Sequence, residues 1–409
     1  MGGSTAFFGW RVVWAAFAVA VFAWGLGFYG PPILLQAIHE ARGWPLSTVS
    51  AAVTTHFLAG ALIVARLPAL HARFGLAGIT RAGGIASGLG LLGWALAAEP
   101  WQLFAATLVS GAGWAATGAA AINAMVAPWL VRGRPAALST AYNGASVGGV
   151  LLSPLWVALI GTLGLPGAAA LLGAAMAATL WLLAGRVIGR SPAALGQLPD
   201  GAPGPAPAAT AHPAPPLGQP WRDRRFATLA GLMTLSLFAQ IGLIAHLFSL
   251  LVPALGAQGA GLAMGMATAC AVLGRMAMAR LLRPGADGPG VDRRLAASAS
   301  LAVQIAGAAV LLLAGGAPVP MLAGLALVGL GIGNATSLPP LIAQAEFVPA
   351  DTARAVALIT AASQAGYAFA PAAFGLLRDA VGGPALFVAA AILQAAAIAA
   401  AVSGRAPRG

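Results

Sequence analysis

The chain contains no lysine, one cysteine and very little charge of either sign. All 21 basic side chains are arginine, set against 9 acids, and charged residues make up 7% of 409 positions. An ordinary soluble domain carries roughly 25%. A water-soluble globule with so few charges and 60% hydrophobic residues could not cover its own core. The lone Cys270 excludes an intrachain disulfide and any cysteine-built metal site. The formal net charge of +12 does not mark a nucleic-acid surface, because the arginines stand singly or in pairs between apolar runs. No nucleic-acid partner is expected.

What is present is a series of long Ala-, Leu-, Gly- and Val-rich runs. A helix needs about 20 apolar residues to cross the hydrocarbon of a bilayer. The runs number twelve: 11–37, 47–70, 79–98, 101–128, 135–161, 166–186, 226–252, 259–282, 294–315, 320–344, 354–377 and 384–402. The first is too long for a signal-peptide core and lacks a small-residue cleavage site, so it reads as a span that stays. With the N-terminus in the cytoplasm, 18 of the 21 arginines fall on the cytoplasmic side, Arg42 and Arg378 fall outside, and Arg275 lies within span eight. This predicts an all-α, multi-pass protein of a bacterial-type inner membrane, with both termini cytoplasmic and the bilayer as its constant partner.

Residues 189–222 are the only long polar stretch, dense in Pro, Ala and Gly, and read as an extended linker. They separate a six-span bundle at 1–188 from a second at 223–409. The halves repeat. Arg134-Pro-Ala-Ala-Leu-Ser-Thr-Ala141 matches Arg354-Ala-Val-Ala-Leu-Ile-Thr-Ala361 at an offset of 354 − 134 = 220, and Gly111-Ala-Gly-Trp-Ala115 faces Gly331-Ile-Gly-Asn-Ala335 at the same offset. Parallel repeats of six helices with a midplane binding site describe a common secondary-transporter architecture.

On these features the sequence resembles the major facilitator superfamily over essentially its whole length. Pro68-Ala-Leu-His-Ala-Arg-Phe-Gly75 is similar to that superfamily's Gly-x-Leu-x-Asp-Arg-x-Gly loop, with Leu70, Arg73, Phe74 and Gly75 in register, Pro68 in place of the first Gly and Ala72 in place of the Asp. The resemblance implies a conformational latch at Arg73 and Gly75, weakened or rebuilt without its Asp. Gly9-Trp-Arg-Val-Val13, Trp129-Leu-Val-Arg-Gly-Arg134, Gly144-Ala-Ser-Val-Gly148 with Pro154, and Gly274-Arg275 resemble the monocarboxylate and oxalate:formate permease branch. That likeness implies that Arg275 grips a substrate carboxylate. Its usual partners differ: Ala271 replaces an acid one turn earlier, span one has no Lys, and Gln364 stands where oxalate:formate antiporters carry a second cation.

Read from the residues themselves, an Arg within a span costs about 2.5–3.5 kcal/mol at the bilayer centre, so it faces protein or water. Arg275 lies five residues from Arg280, within snorkelling reach of the headgroups, and that reading competes with a cavity role. The cavity role is favoured because span eight has no acid to neutralise the guanidinium, which binds carboxylate bidentately. Tyr142, Asn143, Gln364 and Tyr367, near the middle of spans five and eleven, are candidates to line the pocket, followed by Asn334, Gln240 and Tyr29; interhelical hydrogen bonding is the competing role. No Asp or Glu occupies a span centre, which disfavours proton symport by a carboxylate. His56 and His246 are the candidate proton-coupling groups, though a hydrogen bond to a nearby carbonyl is the commoner fate of an intramembrane His.

Spans three, six, nine and twelve are nearly bare of polar groups, with Ser87, Thr179, Gln304 and Gln394 among the few, as expected of lipid-facing helices. Gly25, Gly27, Gly30, Pro31 and Pro32 in span one, and Pro339-Pro340 in span ten, mark expected bends. His56, His246 and Cys270 sit on separate spans with no acid beside them, so no enzyme, cofactor or metal centre is expected. The expected function is alternating-access transport of a small organic anion by a monomer. The alternative is an efflux pump for amphipathic drugs or metabolites, against which stands Thr107, where many drug/proton antiporters of the superfamily carry an Arg.

Overall fold

Every backbone polar group in hydrocarbon must be bonded within the protein, so apolar runs of this length fold as helices. The computed structural model describes residues 7–201, 217–282 and 291–405, and no β-strand occurs among them. Eight helical stretches are long and apolar enough to cross a membrane. Two are too long to be single spans: Arg134–Ile188 and Arg224–Leu281 have 55 and 58 residues. At 1.5 Å per residue each would measure over ~80 Å against a hydrocarbon thickness of ~30 Å. Each is interrupted near its middle by a glycine in the left-handed region, Gly164 at φ 70° and Gly256 at φ 66°. A Cβ is strained at that φ, so glycine is what lets one span end and the next begin there.

The chain divides into two compact units, one comprising Met1–Arg42 and Thr55–Ala208, the other Gly43–Thr54 and Ala209–Gly409. The first contains α1 (Gly9–Gly27), α2 (Gly30–Arg42), the later part of α3 (Leu46–Val64), α4 (Leu67–Leu96), α5 (Pro100–Thr117), α6 (Ala119–Val126) and α7 (Arg134–Leu183). Glycine sets its helix spacing: a Cβ at Gly144 would collide with the Phe17 carbonyl of α1, and one at Gly148 with the Val21 carbonyl. Small residues at four-residue spacing thus let α7 lie directly on the α1 backbone, where van der Waals contact holds helices in lipid. The expected bend in span one is a break between α1 and α2 at Phe28–Tyr29, just ahead of Pro31 and Pro32. Gly75, within α4, has φ 72° and ψ 158°, and Arg73 lies over the Phe74 ring at 5.0 Å.

Of the expected linker 189–222, residues 202–216 lie outside the described residues. Its first part is pinned to the first unit. The Asp200 carboxylate accepts the backbone N–H groups of Val131 (3.2 Å), Arg132 (3.0 Å) and Gly133 (3.1 Å), just before the orphan donors that open α7. Gln197 Oε1 accepts the Phe8 N–H at 2.9 Å. These backbone donors, Arg132 first and then Gly133, hold the Asp200 carboxyl below the usual carboxylate range.

The second unit contains α8 (Arg224–Leu281), α9 (Arg293–Leu313), α10 (Pro318–Ile332), α11 (Asn334–Glu346), α12 (Pro349–Tyr367), α13 (Ala370–Val381) and α14 (Pro384–Ser403). Asp223 and Asp292 cap α8 and α9 by accepting the N–H groups of Arg225 and Arg294. The Arg225 side chain, bonded to Asp223 at 2.6 Å, keeps that carboxyl low. Span ten is interrupted at Gly333, earlier than the Pro339-Pro340 pair, which stays inside α11. Span eleven breaks at Ala368–Phe369, and the Ala372 N–H left open in the first turn of α13 is taken by Thr54 Oγ1 at 3.1 Å. At the other end of the linker, Asp351 Oδ2 accepts the Leu217 N–H at 2.7 Å.

Arg294 lies at a helix end, as expected, in the first turn of α9, but it is also 2% exposed, held by a two-point ion pair with Glu346 at 2.6 and 2.8 Å, so Arg275 is not the one exceptional charge. Gln304 and Gln394, on helices expected to face lipid, are each 1% exposed because their amides bond one another inside the bundle.

Candidate functional site

In the first unit the polar and aromatic groups gather where α1 breaks. Pro31 has no N–H to give the Gly27 carbonyl four residues back, so that acceptor is orphaned. His56 Nε2 fills the gap, donating to it at 3.1 Å. A carbonyl only accepts, so the proton resides on Nε2, and Nδ1 accepts from the Ser110 hydroxyl at 2.8 Å. Trp94 Nε1 donates to the same hydroxyl at 3.0 Å. His56, one of the two histidines considered for proton coupling, is therefore 1% exposed and bonded at both nitrogens.

Around this point aromatic rings close on Trp114: Trp24 at 5.0 Å, and Phe28, His56 and Phe57 each at 6.4 Å between centroids. Trp24, Phe28 and Trp114 are half-buried. Tyr142 stands edge-on to Trp24 at 6.0 Å, accepts from Asn123 Nδ2 at 2.6 Å and donates to the Ala119 carbonyl at 3.0 Å. Ala119 opens α6 directly after the Gly118 interruption, so the phenol braces a second helix break. Asn143 is exposed and Tyr29 is buried.

In the second unit Arg275 is half-buried, and its aliphatic stem lies across Gly333, where a Cβ would meet Arg275 Cγ at 2.7 Å. Asn334 turns away from α8 toward α9: its Nδ2 donates to Ser300 Oγ at 3.0 Å. Gln240 Nε2 and Gln394 Nε2 both donate to Gln304 Oε1, at 2.9 and 3.2 Å. Asn334, Ser300 and Gln304 line a small pocket together with Ser236, Ala335, Leu338 and Pro339. Gln364 and Tyr367 are half-buried on α12 and hydrogen-bond each other. His246 Nε2 donates to the Pro371 carbonyl at 3.1 Å, and Ser249 links the His246 carbonyl to Arg378.

The expected residues thus fall into separate groups. Tyr142 joins the aromatic cluster, Asn334 and Gln240 join an interior amide network, and Gln364 pairs with Tyr367. The sequence reading missed Trp24, Phe28, Trp114, Asn123 and Ser110. Their signal was available as aromatic and small polar residues at matching depth in spans one and four, but 11 Trp in an apolar chain gave no reason to choose these.

The fold is similar to that of solved helical membrane transporters. It is similar to a bacterial homologue of the human lysosomal transporter Spinster in its inward-facing, occupied conformation, with TM-score 0.71 and 15% identity over 98% of this chain and 95% of that one. It is also similar to the nucleoside transporter NupG, with TM-score 0.69 and 13% identity over 97% and 98%. No family model matches the chain, and no curated protein matches it by sequence. At these identities the likeness is one of fold.

Proposed function

We propose that the protein is a twelve-span secondary transporter of the major facilitator type, with both termini in the cytoplasm of a bacterial-type inner membrane, moving a small organic anion by alternating access. The observation that carries the substrate class is Arg275. It sits within the membrane-spanning part of α8, and its stem packs against the α10–α11 junction. A guanidinium there can bind a carboxylate bidentately. Tyr142, Asn143 and Tyr29 in the first unit, and Gln364 and Tyr367 in the second, are the polar side chains proposed to take part in binding, and the protein acts as a monomer.

The second reading, transport of an amphipathic or flat-ringed neutral solute, is supported by the half-buried Trp24, Phe28 and Trp114 of the first unit. One structural neighbour is a nucleoside transporter, which places such solutes in the same test. Coupling to protons through His56 or His246 is less favoured, because each histidine bonds a helix carbonyl through Nε2. Counterflow in proteoliposomes, run against a panel of carboxylates, nucleosides and amphipathic cations with and without a pH gradient, tests these readings. Carboxylate counterflow that Arg275→Gln abolishes, with folding and insertion intact, is the expected result. Counterflow unchanged by Arg275→Gln overturns the anion assignment.

A further inference from the structure

The small pocket in the second unit is lined by groups whose bonding capacity is left over. Asn334 is 3% exposed and its Oδ1 has no partner, although its Nδ2 is bonded to Ser300. Gln304 Nε2 and Gln394 Oε1 likewise lack partners inside the protein. A third oxygen follows from the sequence: Pro339 has no N–H to give the Ala335 carbonyl four residues back, and both residues line the space. Ser236 and Ser300 add hydroxyl oxygens at 2% and 6% exposure. Polar groups left unbonded this deep are costly, so something that meets the free oxygens belongs there.

The orientation of the amides bears on the charge of that occupant. With Gln240 and Gln394 both donating to Gln304 Oε1, one acceptor takes two bonds while a donor and an acceptor go unused. An amide turned by 180° exchanges oxygen for nitrogen with little change in shape. Turning all three keeps two bonds, now donated by the Gln304 –NH2 to Gln240 and Gln394, moves the unused donor from Gln304 to Gln394, and leaves a carbonyl oxygen at Gln304, which lines the space. The site then presents Asn334 Oδ1, Gln304 Oε1, two serine hydroxyls and the Ala335 carbonyl: five neutral oxygens and no carboxylate. Divalent ions take carboxylate ligands. Neutral carbonyl and hydroxyl oxygens beside an interrupted membrane helix suit a singly charged alkali ion.

We propose that the second unit binds an alkali cation, Na⁺ or K⁺, at the α10–α11 junction, with Asn334 at its centre. Binding stands on this geometry alone; use of the ion to drive transport rests on the transporter reading above. The test is thermal unfolding of the purified full-length protein in NaCl, KCl or choline chloride at equal ionic strength, without substrate. The expected result is a saturable rise in Tm of several degrees with Na⁺ or K⁺ over choline, absent in Asn334→Ala and Ser300→Ala. Asn334→Asp, which puts a charge at the same position, lowers the half-saturating concentration at least tenfold, and this variant decides the matter should the alanine variants fail to fold in choline. Equal Tm in all three salts, or a rise retained in Asn334→Ala, overturns the proposal and leaves a space that holds water only. Carboxylate counterflow measured in choline medium tests the transporter reading separately.

Discussion

Glu346→Ala leaves the most deeply buried charge in the described structure without its counter-ion. Arg294 donates to both Glu346 oxygens, at 2.6 and 2.8 Å, and to three neutral acceptors: Thr228 Oγ1 at 3.0 Å, the Arg225 carbonyl at 2.9 Å and the Ala401 carbonyl at 3.3 Å. Removing one partner of a buried pair costs about 3–5 kcal/mol, because the remaining ion stays desolvated. The three neutral acceptors and the 22% exposure of the Glu346 side chain place this case at the low end, about 3 kcal/mol. At roughly 2–4 °C per kcal/mol for a unit of this size, Tm in detergent falls by about 6–12 °C. The double variant Arg294→Met/Glu346→Leu removes both charges and keeps apolar volume, so it recovers most of that loss and lies within about 1 kcal/mol of the parent. A Tm within 2 °C of the parent for Glu346→Ala, or a double variant no better than the single one, would refute the account of Arg294 as an ion held by this pair.

Asp200→Ala removes the acceptor that three backbone amides share, so hydrogen exchange at Val131, Arg132 and Gly133 accelerates; unchanged protection would show that the loop holds itself. The same protection depends on acid. The folded-state carboxyl lies below its unfolded value, so the contribution is complete above that value, near 4, and is lost as pH falls through the lower folded one. His56→Ala strands the Gly27 carbonyl and Ser110, which costs about 1–3 kcal/mol, read as a drop in Tm. His56→Gln keeps a donor and retains the transport pH profile; a flattened profile with normal stability would instead assign a coupling proton to His56.

The fold was legible because lipid imposes a simple rule: apolar runs of twenty or more residues have no alternative to helix, and glycines at positive φ have no alternative to a turn. Gly164 and Gly256 therefore divide the two longest helices close to where the hydropathy already changed. The site was less legible, because polar residues in apolar helices serve two purposes that share one sequence signature. Asn334 and Gln304 show the difficulty. Both are lone amides in hydrophobic spans, one expected to line a binding pocket and the other to be incidental on a lipid-facing helix. Folding places them on the same pocket. What separates the two purposes is hydrogen-bond accounting in three dimensions. An amide that spends its N–H donors on its own helix and on a neighbour is structural, as Asn123 does on the Ala119 carbonyl and Tyr142. One that keeps an oxygen unspent while buried is held in readiness for a solute or an ion. The sequence supplies half of that account wherever a proline removes a known donor, as Pro31 does for Gly27 and Pro339 for Ala335. At Gly27 the missing bond is made good by His56, and Ala335 lines a pocket in which Asn334 Oδ1 has no partner. The same local chemistry thus yields a brace in one unit and a binding site in the other, and only the packing partner decides which.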